Sequence, residues 1–159
     1  MRKRLLADLD GPVVNILDRM IEEGNKLSGL NVKRAYIRTY WVSDAYGMPR
    51  EFSYEILDRI DHSELLPVEG AVETLRRLKI EGYHIHFVTS RNGEKVEDET
   101  RRWLRRYQLE DYPLTFSRDK LKTARENELN LVLEDSPETA MVFNKNRIPV
   151  IYFLDKIAT

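Results

Sequence analysis

Asp8 and Asp10 close the apolar run "LLADLDGPVV", two like charges one residue apart, and three later apolar runs end at or lead into equally reactive groups. "HFVTSR" brings Thr89, Ser90 and Arg91, "SRDK" brings Arg118 and Lys120, and "LVLEDSPE" brings Glu134 and Asp135. Carboxylates gathered this densely repel unless a hard cation joins them, and Mg2+ takes one or two carboxylates while leaving positions for water and phosphate oxygens. Asp8 and Asp135 are the expected Mg2+ ligands, with the backbone carbonyl of Asp10 as a third. A carboxylate can also attack phosphorus directly, and Asp8, at a strand tip, suits that role. Asp10, just before the turn at Gly11, would stand beside the leaving group and exchange its proton. Thr89 and Lys120 would meet the charge that collects on phosphoryl oxygens.

Such groups need a frame that brings distant strand ends together. Four apolar runs read as strands: Arg4 to Leu9, Tyr83 to Thr89, Leu129 to Glu134 and Ile148 to Leu154, with a weaker fifth at Tyr112 to Ser117. Between them, "VEGAVETLRRLKIEG" and "EKVEDETRRWLRRYQL" carry helical spacing, and "SPETAMVFNKN" opens with Ser136 as N-cap and Pro137 at the first helical position. Strands alternating with helices predict an α/β fold, a Rossmann-like parallel sheet with helices on both faces. Its ligands belong beyond the carboxyl ends of the strands. Residues 12–66 interrupt the alternation with an amphipathic helix, the aromatic stretch "RAYIRTYWVSDAYGM" and a short helix "SYEILDRI". They are expected to form a small helical cap inserted after the first strand, with residues 1–11 and 67–159 as the α/β core.

Composition narrows the class. With 159 residues, 42% hydrophobic and 33% charged, the chain has the makeup of a globular protein with one core. It has no cysteine, which excludes disulfides, thiolate metal sites and a cysteine nucleophile. Lys and Arg total 26 against 27 Asp and Glu, so no overall field favours nucleic acid or anionic membrane. The apolar run after "MRKR" is too short for a signal segment, and a cytoplasmic location is the default expectation.

The four motifs together, "DLDG" at Asp8 to Gly11, the strand ending in Thr89, Lys120 and the acids of "LVLEDSPE", resemble those of the haloacid dehalogenase superfamily of Mg2+-dependent aspartyl phosphotransferases. "YWVSDAYG", "LLPVEGAVETLRRL", "HFVTSR" and "SRDK" are similar, in matching order, to segments of the 5'(3')-deoxyribonucleotidase family. That resemblance implies a phosphomonoesterase of nucleoside monophosphates with Asp8 as nucleophile, Asp10 as acid and base, Thr89 and Lys120 as phosphate ligands and Asp135 on Mg2+. It also implies that Trp41 lines an apolar base pocket and that Ile16 stands where an aromatic is usual. Ser90, Arg118, Tyr40 and Val42 fall in segments that contact substrate in the family, and Arg91, in place of a usual proline, joins them at the rim. Glu134 replaces the first acid of a typical Asp pair, and Pro12 stands where Val or Thr is usual.

Other readings stay open at this stage. Asp8 and Asp10 can serve as a solvated strand end or a helix cap. Lys122 lies close enough to compete with Lys120. The alternating His84 and His86 fit packing better than a metal site, because no third ligand is near. A polynucleotide 3'-phosphatase would use the same chemistry on a different partner. A receiver module that accepts phosphate without turnover would gather similar residues. The expected partner is a small nucleotide, with no membrane; a homodimer is open as an assembly.

Overall fold

The computed structural model describes residues 3–154; the ends of the expected core segment, residues 1–2 and 155–159, lie outside them. In chain order the elements begin with β1 (Arg4–Ala7), β2 (Val14–Asn15), α1 (Leu17–Ser28) and α2 (Arg50–Asp58). β3 (Leu66–Pro67), α3 (Ala71–Ile80), β4 (His84–Thr89) and α4 (Glu94–Arg106) follow. The chain continues through β5 (Leu114–Phe116), α5 (Lys120–Glu126), β6 (Leu131–Glu134), α6 (Pro137–Lys145) and β7 (Val150–Tyr152).

Five strands form one parallel sheet in the order β5-β4-β1-β6-β7. β1 is central because it is apolar on both faces: Leu5, Leu6 and Ala7 are each at most 2% exposed, as a strand covered by helices on both sides must be. The chain builds outward through β4 to β5, then returns across the sheet to β6 and β7. Strand order therefore reverses beside β1, and the carboxyl end of β1 lies at the crevice where such sheets bind ligands.

The helices follow from their sequence. Ser136 caps α6 by accepting from Thr139 N (3.3 Å), with Pro137 in the first turn. In α4, Trp103 and Leu104 are buried while Arg101, Arg102, Arg105 and Arg106 face solvent, and Arg102 pairs with Asp98 (2.8 Å), as a charged outer face does. The indole Nε1 of Trp103 donates to the carbonyl of Leu65 (2.8 Å), tying α4 to the segment that returns from the insertion.

Between β1 and β3 the chain forms α1, α2 and three 3-10 turns at Arg34–Tyr36, Val42–Tyr46 and His62–Glu64. α1, α2 and the second turn pack on one another around Leu17, Met20, Ile21, Val42, Phe52 and Ile56. Gly24 permits this closeness: a Cβ there would lie 2.6 Å from the Tyr46 hydroxyl, which donates to Ile21 O (2.9 Å). One element was not expected. β2 and β3 pair as a two-stranded antiparallel ribbon, Val14 with Pro67 and Asn15 with Leu66, and this clasps the entry and exit of the insertion. The expected strands are each shorter by one to four residues, and β4 and β6 lose residues only at their amino ends, so their carboxyl ends still reach Thr89 and Glu134.

Candidate active site

Backbone geometry after β1 sets the first acids. Asp8 N donates to Leu133 O (3.0 Å), which carries the pairing with β6 one residue beyond β1. The chain then folds back tightly: Val13 N and Val14 N both reach Leu9 O (3.1 and 2.8 Å), and Gly11 N reaches Val14 O (3.0 Å). Gly11 has φ +99°, and a Cβ on it would lie 2.2 Å from Oδ2 of Asp135. Only glycine combines that backbone angle with that approach.

Asp8, Glu134 and Asp135 form the acid cluster, with one carboxylate oxygen of each within 4.8 Å of the others. The Lys120 ammonium lies 2.9 Å from Asp8 Oδ1 and 2.7 Å from Glu134 Oε2, and all three side chains are less than 10% exposed. Glu134 does more than favour the next helix: its other oxygen accepts from the backbone N–H groups of Asp135 (3.1 Å) and Ser136 (3.0 Å). It fixes both the lysine and the turn that presents Asp135. Burial pushes the Asp8 carboxyl well up from its ordinary value, against the pull of Lys120 and reinforced by Glu134, Asp135 and Asp10. Burial opposes the charge of Lys120, but Asp8 and Glu134 outweigh it and raise the lysine above its ordinary value. The Lys122 side chain is 69% exposed and faces Glu126 (3.8 Å), so of the two lysines Lys120 alone meets the acids.

Asp10 takes a different direction from the acid cluster it was grouped with. Its two oxygens accept from Arg91, Oδ2 from Nε (2.9 Å) and Oδ1 from Nη2 (2.6 Å). The third nitrogen of Arg91, Nη1, donates to Thr100 Oγ1 (2.9 Å), whose hydroxyl donates to Val96 O within α4 (2.7 Å). Arg91 is thus buried and committed to a carboxylate instead of standing open to a substrate, because a guanidinium fork matches two carboxylate oxygens better than solvent does. Burial works against ionisation of Asp10, yet the charge of Arg91 and its hydrogen bonds prevail and hold the carboxyl below its usual range. The carboxylates that converge as possible cation ligands are therefore Asp8, Glu134 and Asp135, and the Asp10 side chain is turned to Arg91.

Behind this pair lies a second buried couple that sequence reading missed. Glu99 Oε2 accepts from the backbone N–H of His62 (3.0 Å) and lies 3.3 Å from its Nδ1, and both residues are at most 4% exposed. Burial lowers the His62 pKa, and Arg91 lowers it further against the opposing pull of Asp10 and Glu99. A signal for this couple existed. Glu99 and Thr100 sit three and four residues after Val96 and four residues before Trp103 and Leu104, so they are polar residues on the buried stripe of α4.

The remaining candidates divide. Thr89 ends β4, is 1% exposed, and accepts from Arg91 N through its hydroxyl (3.3 Å). Ser90 and Arg118 are exposed, and Arg118 lines a cavity of about 450 Å3 together with Lys120 and Glu138. Tyr40 is pushed up by burial and then by Asp135, Asp8, Glu134 and Asp10, so its phenol lies within electrostatic reach of the acids. Trp41 is half-buried in an aromatic group with Tyr40 (ring centres 5.4 Å apart) and Tyr54 (5.9 Å), and the Arg50 guanidinium lies 4.6 Å above its ring. Val42 and Ile16 are 1% and 7% exposed and belong to the hydrophobic core. The structure does not bring their side chains to an open surface, since apolar groups at those helix starts gain more by burial. His86 is buried and its Nε2 pairs with Thr115 Oγ1 (2.8 Å), a packing role.

Comparison with known proteins agrees with this arrangement. The family model described as "5' nucleotidase, deoxy (Pyrimidine), cytosolic type C protein" matches residues 2–155. A Bacillus cereus protein provisionally named a nucleotidase is 30% identical over 125 residues, which cover 71% of this chain and 64% of that protein. The chain thus spans less than two thirds of that curated relative. Among solved structures, a Bacteroides fragilis protein provisionally titled a haloacid dehalogenase-like hydrolase matches with TM-score 0.71 at 12% identity, over 100% of this chain and 90% of that one. A hydrolase from Streptococcus pneumoniae matches with TM-score 0.63 at 16% identity, over 97% and 94% of the two chains. These structures share the fold.

Proposed function

Because the chain belongs to the 5' nucleotidase, deoxy (pyrimidine), cytosolic type C family of haloacid dehalogenase-like proteins, we propose that it is a Mg2+-dependent phosphomonoesterase of nucleoside monophosphates, with deoxyribonucleotides as the favoured class. The observation that carries this reading is the buried Lys120 bridging Asp8 and Glu134 beside the carboxyl end of β1. One cation among buried acids leaves negative charge in excess, which suits a further cation. Asp8 and Asp135, backed by Glu134, would hold Mg2+, and the close approach of Asp135 over Gly11 fits a cradle made for it. When bound, Mg2+ would neutralise the acids and draw charge from the phosphoryl oxygens.

The residues then divide the work. Asp8 Oδ attacks phosphorus, the bond to the leaving oxygen breaks, and an aspartyl-phosphate forms. Asp10, ionised beside Arg91, takes a proton from the water that attacks the aspartyl-phosphate and restores Asp8, and gives that proton to the departing alkoxide of the following turnover. Lys120 and the Thr89 hydroxyl stabilise the charge on the transferring group. By the family resemblance, Tyr40, Trp41, Ser90 and Arg118 would contact the nucleotide.

A panel of 5'- and 3'-deoxyribonucleoside monophosphates, ribonucleotides, an aryl phosphate and a 3'-phosphorylated oligonucleotide tests the reading. The expected result is phosphate release that is fastest from a deoxyribonucleoside monophosphate. Faster release from the oligonucleotide, falling steeply with salt, would move the assignment to polynucleotide ends. Release from none would overturn it.

A further inference from the structure

We propose that Arg91 is the positioning residue for Asp10, holding its carboxylate plane so that Asp10 meets the leaving-group oxygen; this rests on the phosphomonoesterase reading above. Asp10 sits in a turn with its side chain 28% exposed, so by itself it could rotate toward solvent or into the acid cluster. Two parallel hydrogen bonds from Nε and Nη2 remove that freedom. A single-point donor would still allow rotation about the bond. Behind the fork, Nη1 donates to Thr100 Oγ1, whose hydroxyl donates to Val96 O in α4, and the Arg91 backbone N–H donates to the Thr89 hydroxyl. The Arg91 side chain is 3% exposed, which keeps water from competing for the fork.

This chain of contacts links the proton carrier to a helix interior instead of to the substrate. Each Asp10 oxygen accepts one Arg91 hydrogen bond and retains a second lone pair for proton exchange. Arg91 would therefore act on the reaction through Asp10 alone. Proton delivery matters most when the leaving group is a poor one, such as a nucleoside alkoxide, and little when it is a stabilised aryl oxide.

The test compares a deoxyribonucleoside monophosphate with 4-nitrophenyl phosphate in Arg91→Lys, Thr100→Val and wild-type protein. Arg91→Lys should lose roughly 100-fold in kcat on the nucleotide and less than about tenfold on the aryl phosphate, with KM little changed, since positioned proton transfer is worth about that much. Thr100→Val should show the same imbalance at smaller size. Added guanidinium should restore nucleotide turnover to Arg91→Gly. Equal losses on both substrates, or none on either, would overturn the inference while leaving the phosphatase reading intact. A raised KM with unchanged kcat would instead make Arg91 a substrate contact and overturn the positioning role. If Arg91→Lys fails to fold, the Thr100→Val comparison decides. A wild-type protein inactive on both substrates overturns the phosphatase reading, and this inference with it.

Discussion

A side chain on Gly11 would collide with Asp135: the added Cβ would lie 2.2 Å from Oδ2 and 2.5 Å from Cγ. The glycine after Asp10 thus does two things, turning the chain at a positive φ and leaving room for a carboxylate from β6. Gly11→Ala should lose roughly 2 kcal/mol of stability from the backbone angle. It should also lose most Mg2+ binding, because Asp135 must move. Denaturant unfolding and calorimetric titration with Mg2+ check the two effects, and intact Mg2+ affinity would contradict the second.

Lys120 should be the most costly charge to remove. Lys120→Met leaves Asp8 and Glu134 buried without their cation, a loss of roughly 3 to 5 kcal/mol. Lys122→Met, at an exposed ion pair, should change stability by less than about 0.5 kcal/mol. Added Mg2+ should recover part of the Lys120→Met loss by supplying positive charge among the acids. Thermal unfolding of both variants with and without Mg2+ checks this.

The acids should separate by variant. Asp135→Asn should abolish measurable Mg2+ binding, and Glu134→Gln should weaken it by roughly 10- to 100-fold, since Glu134 orients its neighbours. Asp10→Asn should leave Mg2+ affinity little changed while activity falls, because its side chain faces Arg91. Titration calorimetry reads the first two outcomes directly. Equal weakening in all three variants would mean that Asp10 turns back into the acid cluster.

Stability should depend on pH through His62. Burial, with Arg91 beside it, lowers its folded pKa below the ordinary value of 6.5, so the unfolded chain takes up the proton first. Its contribution is therefore present above about pH 6.5 and lost as pH falls below it. Asp10, held below its ordinary 3.8, loses its contribution only at still lower pH, so the two are separable. Between pH 5 and 8 the denaturant midpoint of wild type, taken relative to that of His62→Gln, should fall toward the acid end. A slope unchanged in His62→Gln would assign the effect elsewhere.

The parts of this site that sequence reading reaches are those that lie at strand ends. A parallel sheet puts every carboxyl end on one edge, so Asp8, Thr89, Glu134 and Asp135 were bound to converge once the alternation of strands and helices was read. Lys120 over Lys122 is legible only with the helix start in hand. Asp119 accepts from Lys122 N (2.9 Å) and caps α5, which puts Lys120 first in the helix and Lys122 about 200° around it. The bond from Arg91 to Asp10 joins side chains 81 residues apart and leaves no local pattern. The ribbon of β2 and β3 is two residues long on each side, too short for any alternation to register. Val42 and Ile16 show the reverse difficulty: a motif can locate a segment without saying which way a side chain turns.

Phosphate release from a deoxyribonucleoside monophosphate by wild type and Asp8→Asn, each with Mg2+ and with excess chelator, bears most directly on the chemistry proposed for Asp8. Repeated turnover by wild type with Mg2+, and none above background in the other three conditions, is the expected result. Turnover by Asp8→Asn at the wild-type rate, or wild-type turnover undiminished by chelator, would contradict it.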